Sequence, residues 1–212
     1  MSLFKTVLFD FDGTLVDTNE LITESFKYTL TKYNHPFTEE ELKSFNGPPL
    51  IETFRTLDET KADLMVKTYQ EHNLAHHEAY LTLFPHVEET LQALHEAGIK
   101  LGIVSTKMRN AVDLGLDITN IRHYFDSIIT LNDVTHAKPD PEPVIKGMGQ
   151  LNGERETTLM VGDNHHDIVA GHNAQMATAG VSWSLKGRAY LQSYEPTYML
   201  EDMWDLLKIV GV

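Results

Sequence analysis

The strongest constraint on the fold is an apolar run near the start of the chain that ends in two aspartates. Residues 7–9 are Val, Leu and Phe, and Asp10, Asp12 and Gly13 follow closely. Because side chains alternate between the faces of a strand, Asp10 and Asp12 are expected on the same side of the strand end. Two carboxylates held this close repel each other unless a cation or a shared proton lies between them. The alternative is an Asp-Gly hairpin turn, but helical sequence follows instead of a partner strand.

Composition limits the functional classes. The 212 residues include 42% hydrophobic and 23% charged side chains, which is typical of a globular chain with one large domain and a smaller inserted or appended one. A net charge of −14 without a Lys/Arg cluster argues against nucleic acid and anionic membrane as partners. We expect neither a transmembrane helix nor a signal peptide, because no apolar run is long enough. The lack of cysteine excludes disulfides and thiolate chemistry and fits a cytoplasmic location.

Residues 18–80 predict helices only. Apolar residues recur there at helical spacing, Thr38 and Glu41 form a capping-box pattern, and strand-like alternation is absent. Residues 46–49, with the sequence Asn-Gly-Pro-Pro, interrupt the helical pattern. The segment therefore predicts a helical domain at residues 17–83, inserted directly after the first strand.

From residue 84 onward, strand-like and helical stretches alternate. Such alternation predicts a parallel sheet with helices on both faces and right-handed crossovers. The core domain is therefore expected to comprise residues 1–16 and 84–212. Strands are predicted at residues 100–104, 127–131, 159–161 and 180–183, and helices at residues 87–94, 112–116, 144–151, 168–176 and 198–210.

Polar side chains follow these strands at the edge where open α/β sheets bind ligands. Ser105 and Thr106 follow the strand at residues 100–104, where they would either cap the next helix or bind a phosphate at its N-terminus. Lys138 precedes a predicted helix start at Asp140. A lysine there opposes the helix dipole unless an anion lies between them, and the alternative is a lysine that points to solvent.

A second acidic pair, Asp163 and Asp167, follows the strand at residues 159–161. Its spacing places both residues on one face at the start of the next helix, where the helix dipole alone would favour acidic side chains. The neighbouring histidines suggest zinc, whereas carboxylate oxygens from Asp10 and Asp163 favour magnesium. The histidines at positions 76, 77, 86 and 172 lack metal-ligand spacing, and we expect them at the surface or in linkers.

In this order, the motifs resemble those of the haloacid dehalogenase superfamily. The residues that carry the resemblance are 10–15, Ser105, Lys138 and 162–167, and it covers essentially the whole chain. It implies a Rossmann-like α/β core with an inserted helical-bundle cap. Ser105 stands where threonine is commoner, which keeps the hydroxyl. Residues 174–175 are Ala-Gln instead of the usual Ala-Gly, which bears on helix–sheet packing rather than on chemistry.

A closer resemblance is to the inorganic pyrophosphatase branch of this superfamily, near the phosphoglycolate phosphatases. It is carried by residues 46–50, 105–107, 138–143, 160–167 and 183–187. The resemblance implies a Mg²⁺-dependent phosphohydrolase that acts on a small phosphorylated substrate, namely inorganic pyrophosphate. The alternative is a phosphatase for phosphoglycolate or another small phosphomonoester. The oligomeric state stays open.

The resemblance also implies a role for each site residue. Asp10 would be the nucleophile that forms an aspartyl-phosphate, and Asp12 the general acid and base. Mg²⁺ would be held by the carboxylates of Asp10 and Asp163 and by the main-chain carbonyl of Asp12, with Asp167 in support. The substrate would be held by Ser105, Thr106, Lys138, Gly13 and Thr14. From the helical insert, Asn46 and Gly47 are expected to reach the site and help select the leaving group.

Overall fold

The computed structural model describes residues 3–212 and has a six-stranded parallel sheet at its centre. The strands of the described residues are β1 (Thr6–Phe9), β2 (Val16–Asp17), β3 (Thr82–Leu83), β4 (Lys100–Val104), β5 (Ser127–Ile129), β6 (Thr158–Gly162), β7 (Ala177–Val181) and β8 (Tyr198–Leu200). Strands β2 and β3 form a separate two-stranded sheet, and the other six form the central one. The α-helices are α1 (Asn19–Lys32), α2 (Glu39–Ser44), α3 (Leu50–Leu57), α4 (Ala62–Tyr80), α5 (Val87–Glu96), α6 (Arg109–Thr119), α7 (Glu142–Gln150), α8 (His165–Asn173), α9 (Arg188–Gln192) and α10 (Asp205–Val210). The sheet order is β5-β4-β1-β6-β7-β8, which confirms the predicted α/β fold class.

Strand β1 lies in the middle of the sheet, and both of its faces are covered. Val7 and Phe9 belong to one hydrophobic cluster together with residues of α5, α6 and α10. Leu8 belongs to a second cluster with residues of α7 and α8. All three side chains are fully buried. A strand that is buried on both faces has a continuous apolar sequence, which is why residues 7–9 show no polar alternation.

Helices α1–α4 form a helical insert with its own hydrophobic cluster. Phe26, Phe54 and Tyr69 pack there with ring centroids 4.8 to 6.2 Å apart. The predicted capping box is present at α2, where Thr38 and Glu41 exchange side chain–backbone hydrogen bonds. The two connections between insert and core run side by side as the antiparallel pair of β2 and β3.

The C-terminal stretch differs from the sequence prediction. Residues 198–200, predicted as the start of the last helix, form the edge strand β8, and α10 begins only at Asp205. The pairing partner β7 decides this, since β8 lies beside residues 179–181 in a register that local sequence does not encode. Strand β5 also ends earlier than predicted, at Ile129. Among residues 3–212, no helix combines the length and the apolar character that a membrane span requires.

Two local positions also differ from expectation. His77, predicted at the surface or in a linker, is fully buried in α4. Gln175 stands where the superfamily resemblance leads us to expect glycine, and it has a left-handed backbone with a φ of +60°. Its N–H donates to the His172 carbonyl and the Met176 N–H to the Gly171 carbonyl, each at 2.9 Å. The end of α8 is thereby closed, and β7 begins at Ala177, earlier than predicted.

Candidate active site

Three adjacent strands bring the residues predicted at strand ends to one edge of the sheet. Strands β4, β1 and β6 are neighbours, and Ser105, Asp10 and Asp163 follow them directly. The backbone N–H groups of Asp10 and Ser105 extend the sheet hydrogen bonds beyond the strand ends, to the carbonyls of Val161 and Ile129 at 2.9 Å. Because parallel strands end at the same edge, residues far apart in sequence converge there.

Three carboxylates and one ammonium form the buried centre of the site. Carboxylate oxygens of Asp10, Asp163 and Asp167 lie within 4.8 Å of one another, and none of the three residues is more than 9% exposed. Lys138 Nζ lies 2.6 Å from Asp167 Oδ1 and 3.0 Å from Asp10 Oδ1. It also donates to the Val104 carbonyl at 2.7 Å. Lys138 is only 2% exposed, so the alternative of a lysine that points to solvent is wrong.

Burial and mutual repulsion dominate the electrostatics of this cluster. Burial raises the pKa of Asp10 to about 7; the Lys138 ammonium opposes this shift, and the Asp167 and Asp12 carboxylates add to it. Burial, reinforced by Asp10 and Asp167, raises the pKa of Asp163 well above its usual range. Burial alone would lower the pKa of Lys138, but Asp10 and Asp167 outweigh it and the net shift is upward. The cluster therefore holds more acidic groups than one ammonium can neutralise.

The donor set of the cluster fits a hard divalent cation such as Mg²⁺. It consists of carboxylate oxygens, which magnesium prefers to nitrogen or sulfur. Asp10 Oδ1 is buried, and the 3.0 Å ion pair with Lys138 is its contact among the described residues. At Gly13, φ is +78° and a Cβ atom would lie 2.3 Å from Asp163 Oδ2, so glycine leaves that carboxylate its place. A bound cation would offset the excess negative charge of the cluster.

The start of α8 differs in detail from the sequence prediction. Helix α8 begins at His165 with Asn164 as its N-cap, so Asp163 lies before the helix and only Asp167 lies on its first turn. The Asp167 carboxylate accepts a hydrogen bond of 2.9 Å from the Asn164 N–H. His165 Nδ1 lies 2.8 Å from Tyr190 Oη, and His166 Nδ1 contacts Asn164. Neither histidine joins the acidic cluster, which argues against the zinc alternative.

Asp12 lies beside the acidic cluster and has a cation of its own. Its Oδ1 accepts hydrogen bonds from Thr18 Oγ1 at 2.6 Å and from Lys107 Nζ at 2.7 Å. The side chains of Lys107 and Asp12 are only 13% and 14% exposed. Neither Thr18 nor Lys107 is among the residues predicted for the site. A cation directly after Ser105 and Thr106 is the signal that indicates Lys107, whereas Thr18 has no comparable signal.

The loop after β4 presents two hydroxyl groups. Ser105 is buried, and its Oγ accepts a hydrogen bond of 3.2 Å from the Lys107 N–H. Helix α6 has Met108 as its N-cap, so the alternative that Ser105 and Thr106 merely cap this helix is wrong. Thr106 Oγ1 instead donates to the Gly47 carbonyl of the helical insert at 3.2 Å.

A cavity of about 350 Å³ opens between the sheet edge and the helical insert. From the core, its wall includes Asp10, Asp12, Ser105, Thr106, Lys107 and Asp163. From the insert, it includes Asn46, Gly47, Leu50, Tyr69, Gln70 and Asn73. Gly13 and Thr14 are next to Asp163 rather than on the wall formed by the described residues, and Thr14 Oγ1 lies 3.5 Å from Asp163 Oδ1.

The loop that carries Asn46 and Gly47 contacts the core directly. Asn164 Nδ2 donates to the Asn46 carbonyl at 3.1 Å, and Thr106 Oγ1 donates to the Gly47 carbonyl at 3.2 Å. The φ of Gly47 is +117°, and a Cβ atom there would lie 2.4 Å from Asn164 Nδ2. Glycine is therefore required for this approach of insert to core. The structure brings both predicted insert residues to the cavity.

Comparison with known proteins decides the family. Residues 7–181 match the family described as haloacid dehalogenase-like hydrolase. The chain belongs to this family. It is an enzyme of the hydrolase class, and the superfamily predicted from the sequence motifs is confirmed.

The relatives of this haloacid dehalogenase-like hydrolase cover nearly its whole length. Pyrophosphatase PpaX from Oceanobacillus iheyensis is 55% identical over 207 residues, 98% of this chain and 97% of the relative. Pyrophosphatase PpaX from Anoxybacillus flavithermus is 52% identical over 209 residues, again 98% and 97%. A solved haloacid dehalogenase-like family protein from Streptococcus pneumoniae is 25% identical with a TM-score of 0.87, covering 98% of this chain and 99% of that chain. A predicted phosphoglycolate phosphatase from Haemophilus somnus, also 25% identical, has a TM-score of 0.85 and covers 99% of each chain.

Proposed function

We propose that this enzyme hydrolyses inorganic pyrophosphate to two phosphate ions, with Mg²⁺ as cofactor and an aspartyl-phosphate at Asp10 as intermediate. The observation that carries the proposal is the buried carboxylate of Asp10, which lies on the cavity wall within 4.8 Å of the carboxylates of Asp163 and Asp167. Two relatives that are 55% and 52% identical are named pyrophosphatases, which supports the same small phosphorylated substrate here.

The reaction divides into two phosphoryl transfers. In the first, a carboxylate oxygen of Asp10 bonds to one phosphorus, and the bond from that phosphorus to the bridging oxygen breaks. The electron pair leaves on the bridging oxygen, which takes a proton from Asp12, and the first phosphate departs. In the second, water attacks the phosphorus of the aspartyl-phosphate, gives a proton to Asp12 and releases the Asp10 carboxylate. One water is consumed for each pair of phosphates.

The other core residues would hold the phosphoryl group that is transferred. The Ser105 hydroxyl and the Thr106 backbone N–H belong to residues of the same cavity wall as Asp10 and would donate to the transferring oxygens. The Lys138 ammonium, 3.0 Å from Asp10 Oδ1, would balance part of their negative charge through its field. The contact of 2.6 Å between Lys138 and Asp167 supports a positioning role for Asp167. Gly13 and Thr14 lie next to Asp163 and would act on the substrate by holding the Asp163 carboxylate in place.

Mg²⁺ would be held by the carboxylates of Asp10 and Asp163 and by the main-chain carbonyl of Asp12, with Asp167 in support. When bound, it supplies the positive charge that offsets the repulsion between these carboxylates and the phosphate. The donor set of carboxylate oxygens supports this assignment over zinc.

We further propose that residues 17–83 act as a cap domain over a core of residues 1–16 and 84–212. Asn46 and Gly47 would help select the leaving group, and their contacts with Asn164 and Thr106 support this. The acidic net charge of −14 supports a function without nucleic-acid or membrane partners. A chain without cysteine also fits the cytoplasm, which we propose as the location.

The second candidate is a phosphatase for phosphoglycolate or another small phosphomonoester. Leu50 and Tyr69 are among the side chains on the insert side of the cavity, and this largely apolar wall suits a monoester with an apolar leaving group better than the charged glycolate. The similarity to the Haemophilus somnus protein supports the same candidate.

Phosphate release from pyrophosphate and from 2-phosphoglycolate, each with Mg²⁺, tests the proposal. We expect the higher kcat/KM for pyrophosphate, and no release from either substrate by Asp10→Asn, because an amide is not a nucleophile for this step. The control is Asp63→Asn, which removes a carboxylate at an exposed position of α4 and should leave both rates unchanged. Unchanged release by Asp10→Asn would overturn the nucleophile, and a higher kcat/KM for 2-phosphoglycolate would assign the enzyme to the second candidate.

A further inference from the structure

We propose that Lys107 binds the phosphoryl group that leaves in the first step and thereby selects pyrophosphate over monoesters with uncharged leaving groups. The inference rests on the proposed pyrophosphatase activity and adds the residue that recognises the second half of the substrate. Both phosphoryl groups of pyrophosphate must enter the cavity, so the charges on the cavity wall determine how the second group is bound.

Lys107 is the only cationic side chain on the wall formed by residues 3–212. The helical insert contributes apolar side chains and the amides of Asn46, Gln70 and Asn73, but no lysine, arginine or histidine. Lys138 is not on the wall and already has three partners, namely Asp10, Asp167 and the Val104 carbonyl. An anionic leaving group in this cavity therefore depends on Lys107 for a direct ion pair.

The position of Lys107 matches the path of the leaving group. Its Nζ lies 2.7 Å from Asp12 Oδ1, and Asp12 is the group proposed to protonate the bridging oxygen. An ammonium at that place is adjacent to the bridging oxygen and hence to the phosphorus beyond it. The Lys107 N–H also donates to Ser105 Oγ at 3.2 Å, so one tight turn holds the hydroxyl for the transferred phosphoryl group and the ammonium for the departing one.

Lys107 can take up an anion without leaving Asp12 unsatisfied. An ammonium has three hydrogen-bond donors, so it can contact a carboxylate and a phosphate at once. Thr18 Oγ1 also donates to the same Asp12 oxygen at 2.6 Å and would keep Asp12 in place if Lys107 turned toward the substrate. Lys107 Nζ also lies over the Phe11 ring, 6.0 Å from the ring centroid.

This arrangement predicts discrimination by charge. A monoester of phenol or an aliphatic alcohol presents no charged group beyond the bridging oxygen, and the apolar insert side of the cavity accepts it. Pyrophosphate presents a second charged phosphoryl group, which is costly to bury without a cation. Removal of the Lys107 charge should therefore harm pyrophosphate hydrolysis far more than hydrolysis of a monoester with a neutral leaving group.

The experiment compares pyrophosphate with phenyl phosphate in Lys107→Met and Lys107→Arg, by phosphate release with Mg²⁺. Lys107→Met also removes a partner of Asp12 and thereby lowers both activities, so the ratio of the two kcat/KM values is the readout. We expect this ratio to fall about 10- to 100-fold, the size of one lost charge-assisted hydrogen bond, with most of the change in KM for pyrophosphate. Lys107→Arg, which keeps the charge, should retain most of the ratio.

Lys186→Met is the matched control. Lys186 is half-buried and interacts electrostatically with Asp163 and Asp167, but it is not on the cavity wall. Its removal takes one positive charge from the site without touching the leaving group, so both substrates should be affected to a similar extent. A ratio that falls equally in Lys186→Met and Lys107→Met would replace the proposed contact with a general field effect.

A second readout is inhibition of phenyl phosphate hydrolysis by methylenediphosphonate, a pyrophosphate analogue without a hydrolysable bridge. Its inhibition constant should rise about tenfold or more in Lys107→Met, whereas that of orthophosphate should change much less. Equal losses for pyrophosphate and phenyl phosphate, with unchanged inhibition by the analogue, would overturn the proposal and leave Lys107 as a support for Asp12. Failure of the wild type to hydrolyse pyrophosphate is a different result, which would overturn the proposed function itself.

Discussion

Asp10 is expected to destabilise the metal-free protein at neutral and alkaline pH, so Asp10→Asn should stabilise it. Burial raises the pKa of Asp10 from 3.8 to about 7. A carboxyl group with a higher pKa in the folded state holds its proton more tightly when the protein is folded. Stability is therefore greatest below the unfolded pKa, decreases as the pH rises toward about 7, and stays low above it.

The magnitude follows from the pKa difference. A shift from 3.8 to about 7 is roughly three units, and at about 1.4 kcal/mol per unit it corresponds to about 4 kcal/mol of unfolding free energy. Asparagine has the shape of aspartate without its charge, so the variant avoids this loss. One kcal/mol moves the melting temperature of a chain of this size by about 2–4 °C, which makes the effect measurable.

The assay is thermal unfolding with EDTA, followed by circular dichroism across the titration range of Asp10. The melting temperature of Asp10→Asn should exceed that of the wild type at about pH 8, and the difference should shrink toward about pH 4. Added Mg²⁺ should raise the melting temperature of the wild type more than that of the variant, because the variant lacks one ligand. Loss of metal by chelation should also abolish phosphate release.

Asp58→Asn serves as a control of opposite sign. Hydrogen bonds from Thr60 and Lys61 lower the pKa of Asp58 to about 2, although its partial burial acts in the other direction. A carboxylate with a lowered pKa stabilises the folded state above its unfolded pKa, so Asp58→Asn should melt below the wild type at about pH 8. The reasoning is refuted if Asp10→Asn also melts below the wild type there in EDTA, since the ion pair with Lys138 would then outweigh the cost of burial.

Two further substitutions test the site. Gly47→Ala places a Cβ atom 2.4 Å from Asn164 Nδ2 at a φ of +117°. The strain is about 1–3 kcal/mol and should displace the loop from the core. The ratio of kcat/KM for pyrophosphate to kcat/KM for 2-phosphoglycolate should therefore change. Gly98→Ala, with a φ of +75° and open space around the added atom, is its control, and an unchanged ratio in Gly47→Ala would argue against a role for the loop. Lys138→Met leaves buried carboxylates without their ammonium and should lower the free energy of unfolding in urea by about 3–5 kcal/mol; a loss below about 1 kcal/mol would contradict the structural importance of this pair.

The sequence predicts best what depends on local pattern. Residues 7–9 are apolar throughout because both faces of β1 are covered, and an apolar run before Asp10 is visible without any knowledge of the fold. Asp163 likewise follows an apolar run, that of strand β6, which is also visible in the sequence alone. Parallel strands bring such residues to one edge, so the composition of the acidic centre could be predicted before its geometry was known.

Contacts between distant segments could not be predicted in this way. Lys107 and Asp12 are 95 residues apart, and no periodicity connects them. His77 is buried while the neighbouring His76 is exposed, because one step along a helix turns the side chain by about 100°. The apolar residues of β8 would suit either a strand or a helix, and only the neighbouring β7 decides between them.

The approach of Asn46 and Gly47 to the core has a kinetic consequence. At this loop, two side chain–backbone hydrogen bonds, from Asn164 and Thr106, join the insert to the core. At β2 and β3, by contrast, the chain itself runs from core to insert and back. Each such bond contributes about 0.5–1.5 kcal/mol, so the loop can detach at a cost of about 1–3 kcal/mol without unfolding either part. A cost of this size corresponds to a detached form that makes up about 15% of the molecules at 1 kcal/mol and roughly 1% or less at 3 kcal/mol. Because this loop lines the cavity, we expect phosphate to leave through that minor population, and the frequency of detachment would then set an upper bound on turnover.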